Sequence, residues 1–196
     1  MPDHPAAPGA VADLEGMPAT SWAVLGILSF GEQLSGYDIK RWAEQSLAFF
    51  YWAPSQSQIY TELRRLEDLG LVVSRVEQTH EAKSRRLYEI TPRGREGMRH
   101  WADRMDPDPV VLKHPILLRV WAAHNGDVAR LLGVLDAHRE ELLARAERAE
   151  RHQQNAVDVP GWAFSALALE WSVRSLRDEA AQIEWLREQL ERGGFA

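Results

Sequence analysis

The 196-residue sequence contains no cysteine. A disulfide framework, a thiol nucleophile and a thiolate metal site are excluded on that ground, and the composition suits a reducing compartment. No apolar run is long enough to span a bilayer. The opening residues MPDHPAAPGAVADLEG lack the basic start and the apolar core of a signal peptide. A cytoplasmic chain without membrane contact is therefore expected. There is no glycine-rich phosphate loop and no nucleophile elbow. The seven histidines are scattered, with no short-spaced pair and no His-Glu motif; His138 and His152 lie fourteen residues apart. No catalytic residue, no metal site and no cofactor is expected.

What is present is a globular composition, 45% hydrophobic and 27% charged, with a formal net charge of −6. The total argues against nucleic acid, but its distribution does not. Residues 20–105 carry 12 basic and 11 acidic side chains, a net of +1, and the rest of the chain is net −7. Within the first part, residues 83–99 hold six basic against two acidic residues. A local basic stripe can steer a polyanion whatever the total charge.

Residues 1–19 are rich in Pro, Ala and Gly and read as a disordered arm. Thr20 and Ser21 can then cap a helix in which Trp22, Leu25 and Leu28 share a face with Val24 or Ile27. Ser35 can cap a second helix, in which Tyr37, Ile39, Trp42, Ala43 and Leu47 keep helical period. Pro54 ends it and is well placed to start a third. There Ile59, Leu63 and Leu66 form the buried stripe, with Leu69 beside it, opposite Ser57, Thr61, Arg64 and Asp68. Gly70 is a suitable stop. The segments LVVSRVEQ and SRRLYEIT alternate as the strands of a hairpin, with Leu87 and Ile90 inward. Thr91 and Pro92 open a fourth helix, and DPDPV at 106–110 breaks the chain.

Beyond the break everything reads as helix. VLKHPILLRVWAAHN is expected to be helical despite Pro115. Gly126-Asp127 ends that helix and caps the next, which runs to about Asn155. The last helix carries Ala166, Leu169, Val173, Leu176, Ala180, Ile183 and Leu190 in a 3–4 rhythm. The two long helices predict an antiparallel pair. Such seams also suit oligomers, which makes Leu169, Val173, Leu176, Ala180 and Ile183 the expected dimer interface; packing within one chain is the plainer alternative. The fold class is mainly α with a small β-hairpin: a winged helix-turn-helix over 20–105, a linker at 106–111 and a helical dimerisation or effector domain over 112–196.

Three helices followed by a basic hairpin form the layout of a DNA reader. The third helix can enter the major groove. Gln56 and Gln58 suit adenine, Ser57 and Thr61 suit either kind of base edge, and Arg64 joins them as a candidate on the recognition helix. Tyr60, Lys83, Arg85 and Arg86 are placed for the backbone, with His80 at the hairpin tip. Each feature has a plainer reading as solvated surface, with Arg64 and Arg65 paired to Glu62, Glu67 or Asp68. A winged helix that binds protein rather than DNA also remains open. Charge reversal in the hairpin separates the two.

The segments SGYDIKRWAE, PSQSQIYTELRRLEDLGLV and SRRLYEITPRGREGM resemble the PadR family of transcriptional regulators. The resemblance covers about residues 21–105 and rests on Gly36-Tyr37, Ile59-Tyr60, Leu63, Leu66-Glu67, Gly70-Leu71, Tyr88, Thr91 and Gly94. It implies a homodimeric repressor that binds double-stranded DNA at an inverted repeat, with sites of the ATGT/ACAT kind, and is often released by a small molecule. It also implies dimerisation through the C-terminal helices. A small aromatic or apolar effector would be held by Trp101, Trp121 and Phe164, although core packing accounts for most of the eight tryptophans. The sequence departs from the family at the wing tip, where HEAKSRR has neither glycine nor proline, and in its longer arm.

Overall fold

A computed structural model describes residue 14 and residues 16–78 and 84–193. The chain divides into two compact units, Met1–Asp108 and Pro109–Ala196.

The first unit contains helices α1 (Ala19–Leu28), α2 (Gly36–Gln45), α3 (Gln56–Asp68) and α4 (Pro92–Arg104), with strands β1 (Leu34–Ser35), β2 (Val72–Gln78) and β3 (Ser84–Ile90). The hairpin is part of a three-stranded antiparallel sheet in the order β1-β3-β2. The two-residue β1 carries no strand signal of its own, and it exists because Leu34 and Ser35 pair with Tyr88 and Leu87. Tyr88 and Ile90 share the face that meets the helices, as period two requires. Leu87 is buried on the opposite face, so the inward pair is Tyr88 and Ile90 rather than Leu87 and Ile90.

Helix ends follow local chemistry, with some departures from expectation. Pro18, not Thr20 or Ser21, occupies the cap position of α1, and Ser21 lies buried inside the helix. Val24 and Ile27 are both buried. Ser35 caps α2 through a reciprocal capping box with Asp38. That helix ends at Gln45 and is followed by a 3-10 turn, Leu47–Phe49. Tyr37 points to solvent. Pro54 precedes the cap of α3, and the cap is Ser55, in a second capping box with Gln58. Thr91 caps α4 with Pro92 in its first turn.

Leu14 is fully buried in this core, and Met17 packs against it. The core of this unit therefore includes residues before residue 20; residues 1–13 and 15 of the expected arm lie outside the described residues. A Cβ on Gly97 would stand 3.0 Å from Leu14 Cδ1. Glycine at 97 leaves the room that Leu14 fills.

The second unit contains α5 (Pro115–Trp121), α6 (Val128–Val157) and α7 (Ala163–Arg192). The helix expected to run through Pro115 instead begins there, with His114 as its cap, because proline tolerates the first helical position. Asp127 caps α6. After α6 the chain turns through Gly161, whose φ is +85°. The long helices are antiparallel: Asp136 pairs with Arg187, Arg139 with Glu184 and Glu150 with Arg177, in reversed order along the chain. Their seam buries Leu131, Leu135, Leu142, Ala146 and Ala149 of α6.

Leu169, Val173, Leu176, Ala180 and Ile183 are buried in the same seam of a single chain. Packing within one chain, the plainer of the two expectations for these residues, accounts for this burial. No helix among the described residues is long and apolar enough to cross a membrane.

Candidate nucleic-acid interface

Helix α3 is fixed on one side and open on the other. Ile59, Leu63 and Leu66 are fully buried, each contributing about 1.5–3 kcal/mol by removal from water. Glu62 joins them at 8% exposure, accepts a hydrogen bond from Ser21 Oγ of α1, and is paired with Arg65 Nε at 3.2 Å. A buried carboxylate is tolerable only with such partners. They also lock the rotation of α3 against α1.

Both helix ends are closed. Ser55 N donates to Gln58 Oε1 at 2.8 Å, and Gln58 N donates to Ser55 Oγ at 3.4 Å. At the other end Leu71 N donates to Leu66 O and Gly70 N to Glu67 O, with Gly70 at φ +68°. This is a Schellman closure, and the left-handed position is why glycine stands at 70. The chain leaves directly into β2. Thr91 then clamps the corner: Thr91 N donates to Leu71 O at 3.0 Å, Thr91 Oγ1 lies 2.8 Å from Gly70 O, and Gly94 N donates to Thr91 Oγ1.

The open edge of α3 presents Ser57, Gln58, Tyr60, Thr61 and Arg64, all exposed, with Gln56 half-buried. Several have local duties. Gln58 Oε1 accepts from the Ser55 amide, which fixes the side chain against the cap and leaves one lone pair of that oxygen and the amide N–H groups available. Thr61 Oγ1 donates to Ser57 O at 3.0 Å and can still accept. Arg64 makes no ion pair or hydrogen bond with any described residue, whereas Arg65 is committed to Glu62. Beside this edge an open groove of about 570 Å³ runs between Gly16-Met17 and Thr61, Arg64, Arg65 and Asp68.

The wing carries Arg85 and Arg86 on β3, both exposed. Arg85 Nε pairs with Glu77 across the hairpin at 2.8 Å, and Arg86 Nη1 reaches Glu67 of α3 at 3.8 Å. The same Glu67 accepts from Ser74 Oγ at 2.6 Å. The base of the wing is thus tied to the far end of α3 through Glu67. His80 and Lys83 lie outside the described residues.

The expected effector residues fall in different units. Trp101, in the first, stacks on Trp22 with centroids 5.7 Å apart and planes 19° apart. Trp121 and Phe164, in the second, are 78% and 86% exposed. Sequence reasoning missed Glu62 and Ser21 as a buried pair across 41 residues, and it missed the Ser55 cap. The S-x-x-Q spacing of Ser55 and Gln58 was the available signal for the cap.

Comparison with known proteins agrees with this architecture. The family model described as the transcriptional regulator PadR-like family matches residues 24–100, and that described as virulence activator alpha C-term matches residues 112–192. The chain is 33% identical over 105 residues to the negative transcriptional regulator PadR of Bacillus subtilis, covering 54% of this chain and 57% of that relative. The structure of Bacillus subtilis PadR in complex with operator DNA is similar at a TM-score of 0.75 and 22% identity, covering 88% of this chain and 99% of that one. That of Bacillus subtilis PadR in complex with p-coumaric acid is similar at a TM-score of 0.68 and 21% identity, covering 89% and 100%.

Proposed function

We propose that this chain, which belongs to the PadR-like family of transcriptional regulators, is a dimeric repressor that binds an inverted-repeat operator. Helix α3 reads the major groove and the wing holds the backbone. The observation that carries this reading is the open edge of α3. Ser57, Thr61 and a guanidinium unpaired among the described residues stand on a helix locked by a buried Glu62 and closed at both ends. No described residue of the unit pairs with Arg64, and a helix so rigidly held is pre-organised for base contacts.

Ser57, Thr61 and Arg64 are the base-reading residues of this account, with Gln56 beside them and Gln58 as a donor. Tyr60, Arg85, Arg86 and Lys83 hold phosphates. The Arg85–Glu77 and Arg86–Glu67 pairs are exposed, and such pairs are worth about 0–1 kcal/mol. Exchanging a carboxylate for a phosphate there costs little. Repression rather than activation is the sign carried by the negative regulator that the chain resembles.

The second copy meets the outer faces of α5 and α7, where Trp121, Phe164, Leu167, Trp171 and Trp185 are exposed. Large exposed apolar side chains in such number suit an interaction face. A flat apolar effector, such as the p-coumaric acid bound by the Bacillus protein, would find Trp121 and Phe164 enclosed only in that assembly. The protein works in the cytoplasm, where its operator is.

Titration of the tag-free chain into a labelled duplex of its own upstream region, beside a scrambled duplex, at two salt concentrations tests the reading. Tight binding to the first and weak, salt-labile binding to the second is the expected result. Equal, weak binding to both would contradict it.

A further inference from the structure

The second unit brings together three side chains that lie far apart in sequence. His114 caps α5, His138 lies on α6 and Glu179 lies on α7. His114 Nε2 is 3.3 Å from Glu179 Oε1, and His138 Nε2 is 3.2 Å from the same oxygen. One ligand atom from each residue lies within 4.8 Å of the other two. We propose that this triad is a divalent transition-metal site: Zn²⁺, or Co²⁺ or Ni²⁺ in its place, held by two imidazoles and one carboxylate, with the fourth position open to water.

The geometry points to a metal of that class. A tetrahedral ion with ligands at about 2.0–2.1 Å has ligand atoms about 3.3 Å apart. Both measured nitrogen–oxygen edges have that length before any ion is bound. The two rings stand edge to face with centroids 6.1 Å apart, so both nitrogens can turn toward a shared point. The three side chains are neither sealed nor fully wet, at 17%, 25% and 35% exposure, which leaves an entry path. Two neutral imidazoles and one carboxylate suit a borderline ion, and the absence of cysteine disfavours soft thiophilic ones.

The metal-free arrangement is a carboxylate oxygen accepting from two imidazoles, and it differs from the metal-bound one at a readable place. His114 Nδ1 now accepts from Leu117 N at 3.3 Å and caps α5. Binding through Nε2 moves the ring proton to Nδ1, and Nδ1–H cannot accept. Metal loading and this cap therefore exclude each other. The ion would tie the start of α5 to both long helices while releasing the Leu117 amide.

The experiment uses the full-length, tag-free chain stripped of metal. Zn²⁺ titration by calorimetry should give one ion per chain. Co²⁺ should give the intense visible absorption of a tetrahedral complex. H138Q and E179Q should each weaken binding by at least about tenfold, whereas H124Q and H152Q leave it unchanged; circular dichroism checks that each variant folds. On wild-type protein, needing no variant, Zn²⁺ should increase hydrogen exchange at the Leu117 amide. A hydrogen-bonded triad only would show no stoichiometric binding and an unchanged Leu117 amide. Either that result, or binding that survives in folded H138Q and E179Q, would overturn the proposal.

Discussion

Tyr60 lies where a side chain on residue 36 would have to go: a Cβ built on Gly36 would stand 2.6 Å from Tyr60 Cε1. The first residue of α2 and the exposed edge of α3 are thus interlocked. Gly36→Ala must push the Tyr60 ring aside, at a cost of about 1–3 kcal/mol. In a Tyr60→Ala background the same substitution should cost much less. Urea unfolding of the four proteins measures the coupling, and the displaced ring should also lower operator affinity in G36A.

A second glycine faces backbone rather than a movable ring. A Cβ on Gly94 would meet Leu71 O at 2.1 Å, and a carbonyl anchored by Thr91 cannot withdraw. Gly94→Ala is expected to cost about 3 kcal/mol or more. Thr91→Ala, which loses the α4 cap and the bond to Gly70 O, should cost about 1–2 kcal/mol. Thermal melts rank the two.

Neighbouring arginines on α3 should separate function from stability. Arg64→Ala is expected to leave the melting temperature unchanged and to lower specific operator affinity by about 1–3 kcal/mol. Arg65→Ala removes a partner of the buried Glu62 and should cost about 1 kcal/mol of stability. Melts combined with anisotropy titrations on the same samples decide it.

The Asp38 carboxyl is pulled upward by burial, but the Ser35 hydroxyl and amide, with the Arg41 and Arg85 guanidiniums, outweigh this and hold it below its ordinary value of 3.8. A depressed folded pKa contributes stability that is present above 3.8 and lost as the pH falls through the folded value. Asp38→Asn should therefore be less stable than wild type at neutral pH, with the gap closing on acidification below 3.8. Urea midpoints across that range show whether it closes.

Two substitutions on α7 should behave differently. Leu176→Asp places a charge in the seam within one chain and should unfold the second unit. Trp171→Asp, on the exposed face, should leave the helices intact and yield a monomer. Sedimentation with circular dichroism distinguishes the outcomes, and a folded, dimeric W171D would remove α7 from the interface.

The elements that the sequence announced were those set by local chemistry. The Ile59-Leu63-Leu66 stripe, the Gly70 stop and the Thr91-Pro92 start each depend on residues within one turn of one another. Features made by distant pairing were silent. Strand β1 has only two residues and exists through Tyr88 and Leu87. Glu62 reads as a solvated helix residue until Ser21 folds onto it. The rhythm of α7 marks a covered face, but helical period does not say which chain covers it; within one chain that face is already buried. The candidate site was legible as a set of exposed polar residues on α3. That Gln58 and Thr61 spend hydrogen bonds on their own helix was not.

The account stands on two copies of α3 entering successive major grooves. Hydroxyl-radical footprinting of the upstream region tests this most directly. Two symmetric protected half-sites about 34–36 Å apart, centre to centre, are the predicted result. A single protected segment, or uniform protection along the duplex, would contradict it.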